Sequence, residues 1–394
     1  MIPRRQNRPR DEGRPDAVTL ATCLVLACAL QLAENLLPRI PLFPWLKLGL
    51  PHLVLLPFLL RYGGGPAIAL SVNRTVLTWM VAGTPLSSLL VALIAGTVSL
   101  AVVGFFLRPW VKRGLVGWIG LGMASAGTHN LVQLWVVETL LVDHAGFFFQ
   151  LAPIALWSAV SGAIMALAAA SALPFWNRLF AREGRDGISP GVMPMAGGTV
   201  EPGKVIFFWL GLVYMAAVLF WPRMWGQAGL WVITIVLAWL PLGDGQTGSR
   251  RWRRVFRAMK STWPLLLFLA WLHLFHGEGH LVGWGNVTLE GINAFILHAF
   301  RLLTLAGLGP LLLPFFPRAW LAKSGSPHAQ GMLIALPALA GLPAAIPAAV
   351  REGWATWRSK DDRGHRRGFA AGLETFAARI LAETSHWMPA KPRP

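Results

Sequence analysis

The chain has 394 residues, of which 55% are hydrophobic and 13% charged, with a formal net charge of +18. That balance excludes an ordinary soluble globular domain. The basic residues cluster between apolar runs, which argues for membrane loops held in the cytoplasm and against a nucleic-acid partner.

Residues 1–16 carry Arg4, Arg5, Arg8, Arg10 and Arg14 and read as a basic cytoplasmic tail. Six apolar runs follow, at roughly 17–37, 46–61, 65–82, 86–107, 115–142 and 149–173. Their lengths suit bilayer-spanning helices. Cys23 and Cys28 lie in the first run and read as apolar filler; Val25-Leu26-Ala27-Cys28 faintly resembles a lipoprotein cleavage box, but the apolar run continues through Leu37, which argues against cleavage. Arg61 follows the second run, Arg108, Lys112 and Arg113 the fourth, and Arg178, Arg182 and Arg185 the sixth. No Lys or Arg follows the third or the fifth. Positive charge on alternate loops puts the N-terminus and the loop after the sixth run in the cytoplasm. Arg39 and Lys47 break the alternation, which an inward-pointing Lys47 would explain.

Residues 174–203 are polar, rich in Gly and Pro, and read as a cytoplasmic linker. Further apolar runs lie at roughly 204–221, 229–242, 262–276, 290–316 and 329–350. Between them, Arg250, Arg251, Arg253, Arg254, Arg257 and Lys260 form a basic cytoplasmic segment. Five full spans would leave the tail on the wrong side. Either 290–322 is a hairpin of two short spans broken near Gly307–Pro310, or one run is re-entrant. Residues 351–394 are charged, helix-compatible and too polar to span. Trp45, Trp110, Trp176, Trp221, Trp225 and Trp320 lie near span ends and read as interfacial anchors.

Polar side chains interrupt four runs of the first half. Gln31, Glu34 and Asn35 share helical spacing; Lys47 and His52 flank Leu48-Gly49-Leu50-Pro51. Asn73 and Arg74 interrupt the third run, and His129, Asn130 and Gln133 the fifth. Such groups are costly in lipid and mark either a ligand site or mutual pairing, for example Glu34 with Arg74. Contributions from four separate runs favour a substrate site made of Glu34, Lys47, His52, Asn73, Arg74, His129, Asn130 and Gln133.

Leu37-Pro38, Lys47-Leu48-Gly49-Leu50, Asn73-Arg74 and His129-Asn130-Leu131-Val132-Gln133 resemble the Gx transporter family, also called heptaprenyl diphosphate synthase component I. That family is similar to the six-helix substrate-binding S components of energy-coupling-factor (ECF) transporters. The likeness covers roughly 17–173; Pro51-His52 stands where members usually have Ala-Asn. Residues 200–385 resemble the transmembrane T component, through Trp263-Pro264-Leu265-Leu266, Phe275-His276-Gly277, Thr288-Leu289-Glu290-Gly291 and Arg301-Leu302-Leu303. T components dock ATPases through Arg-Gly motifs. The resemblance implies that role for Arg363-Gly364 and Arg367-Gly368, although Lys360-Asp361-Asp362 stands where Ala is usual.

Other motifs carry less. Gly198–Val205 nearly spells a phosphate loop, but Val205 replaces the Ser or Thr that would hold magnesium. His273, His276, Glu278 and His280 lack a closed ligand spacing, so no metal site is expected. One Asp-Asp pair, Asp361-Asp362, is too little for a prenyl-diphosphate synthase, which needs two aspartate clusters to hold magnesium.

The expectation is an all-α polytopic protein of the cytoplasmic (inner) membrane. An S-component-like domain at 17–173 joins a T-component-like membrane domain at 204–350, with coupling helices and tail at 351–394. It would bind a small organic or lipid-like molecule and contact membrane lipid. It would bind no cofactor of its own, catalyse nothing, and rely on ABC-type ATPase subunits that use ATP and magnesium. The alternative is a non-catalytic accessory subunit of polyprenyl diphosphate or quinone biosynthesis.

Overall fold

A computed structural model describes residues 15–36, 48–82, 86–142, 150–181, 202–240, 247–260, 262–276, 287–315, 326–359 and 368–384. The first half forms α1 (Ala17–Leu36), α2 (His52–Tyr62), α3 (Gly64–Ala82), α4 (Leu86–Lys112), α5 (Trp118–Val137), α6 (Leu151–Ser171) and α7 (Leu173–Ala181). The rest forms α8 (Pro202–Phe220), α9 (Met224–Trp239), α10 (Gly248–Lys260), α11 (Trp263–His276), α12 (Leu289–Leu312), α13 (Pro327–Arg358) and α14 (Gly368–Thr384). Among the described residues, α1, α4, α6, α8 and α12 are long and apolar enough to cross a membrane, and bent α13 makes a sixth. The protein is therefore an all-α, multi-pass membrane protein.

Local chemistry sets several helix starts. Asp16 Oδ1 accepts from the Thr19 amide at 2.6 Å at the head of α1, and Ser326 Oγ from the Ala329 amide at 3.1 Å at the head of α13. Each satisfies an amide that has no partner within its helix. Helix α2 begins at His52 rather than at residue 46, because Gly49 turns the chain with φ 82°. That left-handed conformation is available to glycine at little cost.

Helices α5 and α6 cross at a glycine pair. A Cβ on Gly122 would lie 2.3 Å from the Gly162 carbonyl oxygen, and one on Gly162 would lie 2.5 Å from that of Gly122. Close backbone approach through small residues is how membrane helices pack without a hydrophobic drive. Ser99 of α4 donates to the Ser125 carbonyl of α5 at 2.8 Å, tying the next helix to this pair.

Helix α1 sits inside an apolar core shared with α2, α3, α13 and α14. The last two helices thus cover the first half. The sequence boundary at 350 falls inside α13, which stays helical to Arg358 and bends by 74° between Pro327–Leu339 and Gly341–Arg358. Pro343 accounts for the bend, since its ring opposes the carbonyl of Leu339 and it offers no amide.

One of the two alternatives for 290–322 is removed, and one expectation is corrected. Residues 289–312 form one helix, not a hairpin broken near Gly307–Pro310. Pro310 stands inside this helix and leaves the Ala306 carbonyl without its helical donor, yet the helix runs on to Leu312. Trp176 is not an interfacial anchor: it is 1% exposed and stacks on Phe180, with Tyr62 beyond. Its helix α7 folds back onto the end of α2 instead of ending in the interface. Trp110, Trp221 and Trp225 are exposed, as anchors should be; Trp45 and Trp320 lie outside the described residues.

Candidate functional site

Arg74 is the centre of the polar cluster. It sits on α3, 6% exposed, and its guanidinium donates through Nη1 to Gln31 Oε1 and through Nη2 to Thr75 Oγ1 at 3.2 Å. Gln31 Nε2 donates to Glu34 Oε2 at 3.3 Å. The other carboxylate oxygen of Glu34 accepts from the Gly49 amide at 2.5 Å. Glu34 and Arg74 are thus joined through Gln31 rather than by the direct contact that mutual pairing would have made. A glutamine can bridge them because its amide offers both a donor and an acceptor. The backbone of Arg74 is held as well: the Cys28 thiol, fully buried, lies 3.7 Å from its carbonyl oxygen.

The Gly49 turn brings His52 to the same place. Its Nδ1 lies 3.1 Å from the Gly49 carbonyl oxygen, and its ring meets His129 of α5 edge-on, centroids 6.1 Å apart. Arg74, Gln31, Glu34, His52 and His129 therefore come together from α1, α2, α3 and α5. Arg74 Nε is buried without a hydrogen-bond partner. A buried unpaired donor is unfavourable by about 1–3 kcal/mol. An acceptor oxygen of a ligand would satisfy it.

Two of the remaining expected residues bond elsewhere. Asn130 donates to Ser158 Oγ of α6 at 2.8 Å, and Asn73 to the His328 carbonyl of α13 at 3.4 Å. Both join helices. Gln133 is half-buried one turn beyond His129. Lys47, Arg363, Gly364 and Arg367 lie outside the described residues, and Gly368 opens α14 with φ 78°. Gln31 and Gly49 belong to the cluster although the expected site omitted them. The three-residue spacing of Gln31 to Glu34 was the available signal for the first; nothing in the sequence marks an amide such as that of Gly49 as a carboxylate partner.

The second half holds another buried guanidinium. Arg301 Nη1 donates to the Leu140 carbonyl at 3.2 Å and Nη2 to the Trp221 carbonyl at 3.5 Å, linking α12 to the ends of α5 and α8. His273 and His298 stack nearby in sequence, 5.2 Å apart. Among the described residues no group of three His, Cys, Asp or Glu side chains is placed to hold a metal. An open cleft of about 350 Å³ lies beside Pro222, Trp225, Asn293 and Leu297, away from the Arg74 cluster.

Residues 23–172 match the model of a family described as heptaprenyl diphosphate synthase component I. The match spans α1 to α6 and every described member of the Arg74 cluster. It ends before α8, so the likeness of residues 200–385 to T components rests on sequence motifs alone. No curated protein and no solved structure matches the chain.

Proposed function

We propose that this chain is a non-catalytic membrane subunit of polyprenyl diphosphate or quinone biosynthesis, whose Arg74 cluster holds the anionic head of a lipid-like molecule. Arg74 carries the reading: a buried guanidinium with an uncommitted Nε, set in the segment that matches a prenyl-synthase-related membrane family. Guanidinium suits phosphate oxygens. His52 and His129 stand beside it to orient the head. Synthase chemistry and its magnesium are assigned to a partner chain. The test is binding of farnesyl diphosphate, farnesol and pyrophosphate to the full chain in nanodiscs. Farnesyl diphosphate should bind best, and Arg74→Gln should weaken it by about tenfold or more, the loss of one charged hydrogen bond. Equal binding by the Arg74→Gln protein would refute the site.

A second reading is favoured by α13, one helix that leaves the α1 core and continues to a charged end beside α14. In it the chain is an ECF-type subunit combining substrate binding with energy coupling. Separate ATPase chains would use ATP and magnesium and dock on Arg363-Gly364 and Arg367-Gly368. Arg363→Glu with Arg367→Glu should then stop an ABC-type ATPase from co-purifying in detergent free of anionic lipid. Undiminished association would reject that docking site.

Both readings place the N-terminus and the 174–203 linker on the cytoplasmic side of the inner membrane. Reporter fusions at Gly184 and Ala145 should fall on opposite sides; the same side for both would overturn this topology.

A further inference from the structure

Helix α10 differs from every span around it. Gly248–Lys260 holds Arg250, Arg251, Arg253, Arg254, Arg257 and Lys260 and no acidic residue. One face is apolar and buried: Val255 and Met259 pack on Ala306 and Leu311 of α12 and on Ala238 of α9. Arg251 belongs to that inner face. It is 1% exposed and donates to the Leu240 carbonyl, closing the end of α9. The other five cations are exposed.

The helix is also placed at a membrane boundary. It follows the apolar helix α9, which ends at Trp239, and precedes the apolar helix α11, which starts at Trp263. The chain leaves the apolar layer and re-enters it on one side, with α10 between. Aromatic rings mark the same level. Trp239, Phe256 and Trp263 are each more than half exposed, and Trp252 lies between Trp239 and Phe256, 5.7 Å and 6.1 Å from them. Aromatic rings of this kind favour the headgroup region. With its apolar face covered by α9 and α12, the exposed rings and cations are what place the helix in the interface plane.

We infer that α10 is an in-plane interfacial helix whose exposed arginine face binds the phosphates of anionic phospholipid. Charge selects the occupant: five exposed cations with no acid on the helix fit an anionic leaflet, where each basic residue adds to the attraction. Guanidinium groups add paired hydrogen bonds to phosphate oxygens. The surface lies outside residues 23–172, so it stands or falls apart from the Arg74 site.

The test uses the full chain in nanodiscs of phosphatidylcholine with or without phosphatidylglycerol, with retained lipid counted by native mass spectrometry. The native chain should retain phosphatidylglycerol preferentially. The triple variant Arg253→Gln, Arg254→Gln, Arg257→Gln should lose at least about tenfold of that preference. Equal charge removal at exposed Arg178, Arg351 and Arg358 serves as control and should retain it. Equal loss in both variants would reduce the effect to net charge and overturn the assignment. So would equal retention of the two lipids by the native chain, which would leave the face to an acidic protein partner. Displacement of the lipid by inorganic phosphate alone at millimolar concentration would assign the site to a free anion and overturn it too.

Discussion

Helices α1 and α8 are both apolar spans of about the same length, yet 89% of the apolar stretch of α1 is buried against 17% for α8. Hydropathy cannot separate them; polar side chains can. Helix α1 carries Gln31 and Glu34, whose partners lie on α3 and at the Gly49 turn, so it must be enclosed. Helix α8 presents Ile206, Trp209, Leu210 and Val213 outward, a face that lipid solvates as well as protein would. A polar residue in a span therefore marks an inward face, which a hydropathy profile does not.

The largest effect should come from the helix crossing of the enclosed region. Gly122→Leu places side-chain atoms where the Gly162 backbone stands, and a backbone cannot swing aside as a side chain does. The cost should reach or exceed about 3 kcal/mol, the upper end for overpacking. Size-exclusion and thermal unfolding in detergent should show little folded protein. Gly229→Ala on α9 meets nothing within 4 Å. It should shift stability by no more than about 1 kcal/mol, in the favourable direction. Similar outcomes for the two would erase the contrast between a glycine at a helix crossing and one facing open space.

The two buried arginines sharpen the same contrast. Arg74→Leu removes the cation that holds Gln31 and, through it, the buried Glu34, and should cost about 3 kcal/mol, the upper end for hydrogen bonds to a charged group. Glu34→Gln in that background should recover part of the loss. Arg301 donates to the carbonyls of Leu140 and Trp221 at 3.2 and 3.5 Å, two long hydrogen bonds. Arg301→Leu should cost less, about 1–3 kcal/mol, and leave farnesyl diphosphate binding unchanged. Unfolding curves of the four proteins decide it.

Apolar runs and turn residues made the helices legible, because spans must be long and loops polar. The ends of α13 were not. Residues 351–358 are too charged to span, but helicity needs no apolar face, and Pro343 lets the helix turn while it continues. The site was legible as residue types and only partly as a constellation. Arg74, Glu34, His52 and His129 converge, whereas Asn130, adjacent to His129, points to α6. Neighbours on a helix diverge by about 100°, so adjacency in sequence could not place both in one pocket. Gly49 was invisible as a site residue because its contribution is a backbone amide.

Asn130 supplies a smaller test. Its bond to Ser158 joins α5 to α6 beside the glycine crossing. Polar contacts between membrane helices average about 0.6 kcal/mol, since unfolded spans also find partners. Asn130→Ala should therefore lower stability by about that amount, with ligand affinity near that of the native chain. A loss of affinity as large as that of Arg74→Gln would return Asn130 to the binding site.

The smallest effect should fall where α14 meets α7. Arg178 and Glu374 form an ion pair at 2.7 Å, with side chains 61% and 50% exposed. Charges so open to solvent gain little from pairing and must hold two long side chains still, so the contribution should lie within about 0–1 kcal/mol. The apolar residues Leu373, Phe376, Ala377 and Ile380 of α14 lie in the core shared with α1 and α13, and burial of this kind is what holds a helix in place. Arg178→Ala should leave α14 docked, by protection of its amides from hydrogen exchange. Any small drop in melting temperature should vanish in high salt, which screens exposed pairs. Exposure of α14 in the Arg178→Ala protein, persisting in salt, would mean that charge rather than apolar contact closes the first bundle.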